Sequence, residues 1–251
     1  MAAFFDRVRE PGACLYGTWV KLASLETLEM LAWAGFDFVV ADAEHAPHTF
    51  ETLYRTIVAA QGFSMSALVR LPDASGQDAQ RLLDAGADGV LVPRVRDAAH
   101  AREAMAPLLF SPGGTRGMGI TSRAGRWGQK PIPDYVQEGD QRIVRAVQLE
   151  DPQALERAGE ILDVTGVNAA FVGLGDLSLV SGRPPSHPAN EALVDQLLDA
   201  CRQRHLPCGT AVGDAAAAHR SRARGFSFVM VSNDASLFGR AAADLVRGLR
   251  A

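Results

Sequence analysis

The sequence predicts an α/β protein, a (β/α)8 TIM barrel. Eight short apolar, β-rich runs alternate with longer segments of helical period, which is the signature of parallel βαβ units. The length of 251 residues matches a barrel built as one domain, 1–251, since such barrels run to about 250 residues. Glycine closes several helical segments just before the next apolar run, where a left-handed C-cap is cheap. An open doubly wound sheet with extra strands is the competing architecture, but strict eightfold alternation favours closure.

The first apolar run, 14–20, leads into a helical period at 24–34 that ends in Ala34-Gly35-Phe36. Runs at 36–41 and 66–70 flank a helix at 49–61, and 89–92 follows a helix at 76–84 that ends in Ala85-Gly86-Ala87. After a helix at 98–107 the rhythm breaks. Residues 111–140 hold a Pro-Gly-Gly-Thr-Arg-Gly stretch and Pro131-Ile132-Pro133, and they read as a long irregular loop, a kind usually kept for function. The pattern then resumes with strands at 143–149, 169–172, 208–212 and 226–231, and with helices at 152–161, 189–204, 214–222 and 233–250.

The formal net charge of −4 offers no basic field for a polyanion, so nucleic acid is not an expected partner. No stretch approaches the roughly 18 apolar residues of a membrane span, and residues 1–10 are too charged for a secretory signal. Cys14, Cys201 and Cys208 form neither an even disulfide framework nor a metal spacing, which points to a reducing, cytoplasmic setting. Nucleotide cofactors lack support, because no P-loop and no Gly-x-Gly-x-x-Gly after the first strand is present.

In a parallel barrel the active site lies where the strands end, so the polar residues just past each run are the candidates. The second run leads into Asp42-Ala43-Glu44-His45, the third ends at Arg70, the fifth at Gln148-Leu149-Glu150-Asp151, and the sixth enters Gly173-Leu174-Gly175-Asp176. A carboxylate in such a place often only caps the next helix, and Asp151 before Pro152 suits that role. Glu150 and Asp176, however, end adjacent strands about 5 Å apart, where two unpaired anions repel unless a divalent cation joins them. Two carboxylates leave most of an octahedral shell to water and substrate, which suits Mg2+, Mn2+ or Co2+ and the chelation of a 2-oxo acid.

Arg70 ends an apolar strand and needs an anion, either substrate oxygen or the carboxylates of Asp42 and Glu44. His45 beside those carboxylates is the best general base in the chain. Lys21 and Lys130 are the only lysines, and Lys21 reads as solvated near Glu26 and Glu29, so metal activation is preferred over imine chemistry.

The ordered set Gly17-Thr18-Trp19, Asp42-Ala43-Glu44-His45-Ala46-Pro47, Val69-Arg70, Leu91-Val92-Pro93, Gly114-Thr115-Arg116-Gly117, Gln148-Leu149-Glu150 and Asp176-Leu177-Ser178 resembles the HpcH/HpaI family of metal-dependent 2-oxo-acid aldolases, in the phosphoenolpyruvate/pyruvate barrel superfamily. The resemblance covers essentially the whole chain. It implies that Glu150 and Asp176 ligate the metal, that Arg70 steadies a pyruvate enolate, and that His45 with Asp42 handles protons. It also implies that Trp19, Gly173 and Gly175 line the substrate pocket, and that Asp84 joins the catalytic set from near a subunit interface of a homo-oligomer, trimer or hexamer, with a swapped C-terminal helix. One departure stands out, since the family carries Gly-Pro-Ala-Asp or Gly-Pro-Asn-Asp where this chain has Gly173-Leu174-Gly175-Asp176.

The expected reaction is reversible cleavage of a 4-hydroxy-2-oxo acid to pyruvate and an aldehyde. The rivals are a lyase for malyl-CoA or citramalyl-CoA esters, which needs a basic groove for the nucleotide, and a barrel that only binds a small acid.

Overall fold

A computed structural model describes residues 4–76 and 78–250. Met1 to Ala3 of the expected charged N-terminus, Gln77 of the expected 76–84 helix, and Ala251 lie outside the described residues. Eight parallel strands close into a barrel in sequence order: β1 Leu15–Val20, β2 Phe38–Asp42, β3 Ser66–Arg70, β4 Gly89–Val92, β5 Val144–Leu149, β6 Ala169–Val172, β7 Cys208–Val212 and β8 Phe228–Asn233. The last strand pairs with the first, Leu15 beside Phe228, which excludes the open sheet.

Side chains pointing inward fill the barrel. The helix Phe4–Arg7 plugs its floor, with the Phe4 ring edge-on to Phe38 at 4.9 Å and to Phe228 at 5.7 Å. Gly17 and Gly209 make room for this cluster, since a Cβ on Gly209 would lie 2.1 Å from the Phe228 ring and one on Gly17 2.6 Å from Phe38. Outward side chains such as Val39, Val69, Val90, Val147 and Val229 are fully buried under the helices and form the second, larger core.

Helix starts follow their caps. Ser24, Thr49, Asp97, Asp151 and Asp214 each accept a backbone N–H of the first turn, so Asp151 is a capping residue. Gly35, Gly86 and Gly225 adopt the expected positive φ at helix ends.

Three expectations are corrected. Residues 111–140 are not irregular throughout, because Ile132–Gln141 is a helix. Pro131 is its N-cap and Pro133 sits in its first turn, where a fixed φ and a missing N–H favour helix rather than break it. Residues 174–181 form another helix, Leu174–Ser181, begun at Gly173 and closed by left-handed Gly182. The stretch 152–161 splits at Arg157 into Pro152–Glu156 and Ala158–Leu162.

Candidate active site

The C-terminal ends of β1 to β6 bring most of the expected residues together. Register explains the core of the cluster. Asp42 pairs directly with Arg70 across β2 and β3, and Val20 pairs with Ala41, which sets Lys21 beside Asp42.

Asp42 is fully buried. Its Oδ1 accepts Arg70 Nε at 2.9 Å and the amides of His45 at 3.1 Å and Glu44 at 3.2 Å. Its Oδ2 accepts Arg70 Nη2 at 2.8 Å and the Lys21 ammonium. Burial pushes the Asp42 carboxyl upward, but the hydrogen bonds from Arg70 and Lys21 outweigh it and hold the group far below the usual carboxylate range. Asp42 is therefore the shared counter-ion of Arg70 and Lys21. Lys21 is not a solvated ammonium held near Glu26 and Glu29; its charge is spent on Asp42.

The array continues outward. Glu44 takes Arg70 Nη1 at 3.1 Å and Arg94 Nη2 at 3.2 Å, and the His45 Nε2 stands 3.7 Å from Glu44 Oε2. His45 is the open member, with 59% of its side chain exposed, whereas Arg70 lies buried with its guanidinium 4.3 Å over the Trp19 ring. Both anions weighed as partners for Arg70 hold it at once.

On the other side of the mouth, Leu149 of β5 pairs with Val172 of β6, so Glu150 comes opposite Gly173. Glu150 is buried and bonded only to neutral donors, the Arg94 amide at 2.9 Å on Oε1 and the Gln148 side-chain amide on Oε2. It has no ion pair among the described residues. Burial, aided by the charges of Asp176 and Glu44, pushes its carboxyl up to about 7. Asp176 is exposed in the first turn of Leu174–Ser181.

Gly173 has a steric reason to be glycine, because a Cβ there would lie 2.7 Å from Glu150 Oε2. Gly175 faces open space. Among the described residues no group of three or more His, Cys, Asp and Glu side chains stands ready to hold a metal ion. A two-carboxylate site is thus the most that Glu150 and Asp176 provide, and a buried anion without a cation is the donor chemistry that such an ion would complete.

Asp84 is not in this cluster. It ends the helix Ala79–Asp84, which runs back toward the start of β4, so it lies at the opposite end of the barrel from His45. There its Oδ1 accepts Arg116 Nη2 at 2.9 Å and the Tyr135 hydroxyl at 3.1 Å. Arg94 and Asp234 were missed. Arg94 follows Pro93 just beyond β4, so the strand-end rule applied to it as well. Asp234 accepts the amides of Lys21 and Leu22 at 2.9 and 3.0 Å, a contact across more than 200 residues of chain that no local pattern announces.

A closed parallel barrel thus carries at its mouth a buried carboxylate, a second acid in the first turn of the helix after the next strand, and an arginine network, an arrangement that fits a carbon–carbon lyase of the pyruvate-aldolase type. The sequence profile of the HpcH/HpaI aldolase/citrate lyase family matches residues 15–241. The chain is 34% identical over 241 residues to a 4-hydroxy-2-oxo-heptane-1,7-dioate aldolase of Shigella boydii, covering 95% of this chain and 91% of that one. The structure of an HpcH/HpaI aldolase from Desulfitobacterium hafniense superimposes with a TM-score of 0.91 at 28% identity, covering 99% and 97% of the two chains. A family protein from Burkholderia cenocepacia gives 0.89 at 30% identity, with 98% of each chain covered. This chain belongs to the HpcH/HpaI aldolase/citrate lyase family.

Proposed function

We propose that the barrel cleaves a 4-hydroxy-2-oxo acid reversibly to pyruvate and an aldehyde, with Glu150 and Asp176 holding a divalent cation, Mg2+, Mn2+ or Co2+. The observation that carries this reading is Glu150, a buried carboxylate without a counter-ion, aimed at the mouth where Asp176 also lies. When bound, the cation supplies Lewis acidity to the carboxylate and keto oxygens of the 2-oxo acid.

The side chains do the rest. Asp42 takes hydrogen bonds from Arg70 Nε and Nη2 while Glu44 pairs with Nη1, leaving the remaining guanidinium N–H groups to meet the oxygen that gains charge as the C3–C4 bond breaks. His45, exposed and steadied by Glu44, takes the C4 hydroxyl proton, directly or through a water. The Trp19 ring under Arg70 covers the inner side of the enolate, and the proton taken by His45 returns to its C3, directly or through the same water.

The C-terminal helix Asp234–Arg250 is buried at Asp234 and leaves Phe238, Leu245 and Leu249 exposed. Such a face fits a trimer or hexamer in which the helix is exchanged with a neighbour, and Asp84 belongs to an interface between copies rather than to the site of its own chain. No helix among the described residues is long and apolar enough to cross a membrane, and a cytoplasmic location is proposed from the free cysteines.

The test is to incubate the protein with pyruvate and a panel of aldehydes, adding Mg2+, Mn2+ or Co2+, with and without chelator. Carbon–carbon bond formation is expected only with metal. Turnover that survives thorough metal removal overturns the mechanism, and full activity in Glu150→Ala overturns the ligand assignment.

A further inference from the structure

Charges at the mouth form a chain in which cation and anion alternate: Lys21, Asp42, Arg70, Glu44 and Arg94. Three cations face two anions, so the chain carries one positive charge in excess, apart from the two acids that a metal ion would join. Where that excess rests depends on the two ends. If each end cation offsets the anion beside it, the excess rests on Arg70, the inner member, whose side chain is 8% exposed.

The ends are unequal. Arg94 is 62% exposed and divides its field between Glu44, 3.2 Å away, and Asp73. Its left-handed backbone, φ 53°, places its amide on Glu150. Lys21 is 28% exposed, and its ammonium is bonded to Asp42, a carboxylate with no exposure at all. Water and salt screen that pair least. The backbone that carries Lys21 is pinned as well, since buried Asp234 accepts the amides of Lys21 at 2.9 Å and Leu22 at 3.0 Å. Without Lys21, Asp42 would draw on Arg70 alone through Nε and Nη2, and the guanidinium would meet substrate with its charge already offset.

We infer that Lys21 is a positioning residue for the reaction: by offsetting Asp42 it leaves Arg70 a net cation toward the oxygen that gains charge. This rests on the aldolase reading above and adds a residue to it. Lys21 acts through Asp42, without touching substrate. The keto oxygen carries little charge in bound pyruvate and much more in the enolate, so the contribution falls on the transition state and not on ground-state binding.

The test is titration calorimetry with Mg2+, Mn2+ or Co2+ present, comparing pyruvate with oxalate, a planar dianion that is charged where the enolate is. The proteins are the wild type, Lys21→Met, Lys21→Arg, Arg70→Met and the double variant Lys21→Met with Arg70→Met. Lys21→Met should weaken oxalate about tenfold and pyruvate much less, and should lower kcat for pyruvate addition about tenfold at nearly unchanged pyruvate KM. Lys21→Arg should recover most of both. In the Arg70→Met background, Lys21→Met should barely change oxalate affinity, because the two residues act through one pair. The fitted stoichiometry reports the folded fraction, so misfolding is not mistaken for weak binding. Equal losses on the two ligands, no rescue by arginine, additive effects in the double variant, or borohydride trapping of pyruvate on Lys21 would each overturn this role. A wild type that binds neither ligand and forms no carbon–carbon bond with any of the three metals defeats the aldolase reading itself, and this role with it.

Discussion

Asp42 shows how one buried carboxylate can organise the residues around it. It neutralises Arg70 and Lys21 and binds the amides of Glu44 and His45, so its removal leaves two cations facing each other and two amides unpaired. Asp42→Ala should therefore destabilise the fold by about 3–5 kcal/mol, read as a lowered urea midpoint at unchanged slope. Glu150 behaves in the opposite sense. Its carboxyl is raised to about 7 from an ordinary value near 4.5, so the folded, metal-free protein holds a proton that the unfolded chain has released. The stability tied to that proton is present below about pH 4.5 and is lost as pH rises through about 7. Metal must displace the proton, so affinity should fall about tenfold per unit below pH 7 with one proton released per ion, measurable by titration calorimetry in buffers of different ionisation enthalpy. Glu150→Gln should abolish the proton release and remove the Glu150 share of the pH slope of metal-free stability between about pH 4.5 and 7.

At the level of elements, the turn from β6 into Leu174–Ser181 carries the departure from the family's Gly-Pro-Ala-Asp pattern. Leu174 stands at the proline position and Gly175 faces open space, while Gly173 keeps the backbone close enough for Glu150 to lie against it. Gly173→Ala should push the carboxylate aside and lower metal affinity and kcat by tenfold or more with little change in melting temperature, whereas Gly175→Ala should leave both nearly intact. Strand positions were legible because each apolar run is bounded by glycine or by charge, and β3, β4, β6 and β7 begin and end where the pattern placed them. The helix Ile132–Gln141 was not, because only Tyr135 and Gly139 of its face are buried, too narrow a stripe to register as a period.

For the whole molecule, the barrel and its last helix obey different rules. The barrel buries its own core, but Asp234–Arg250 exposes Leu237, Phe238, Leu245, Val246 and Leu249, more apolar surface than a lone helix keeps in water. If the proposed trimer or hexamer forms through this face, Phe238→Glu combined with Leu245→Glu should shift it to smaller species by light scattering while far-ultraviolet dichroism still reports a folded barrel. Asp234 roots this helix on the amides of Lys21 and Leu22, next to the site, so disassembly should also lower activity.

The sequence alone determined the eight-strand alternation and which residues stand at the strand ends, because a period of two or 3.6 and a polar residue after an apolar run are local facts. Asp42, His45, Arg70, Glu150 and Asp176 could be named on that basis. Tertiary structure decided their partners. Lys21 binds Asp42 through strand register, Arg94 meets Glu44 and Glu150 through a left-handed turn, and Asp84 falls at the other end of the barrel because its helix runs antiparallel to the strands. Charge pairing depends on distance through space, and only closure of the sheet sets those distances.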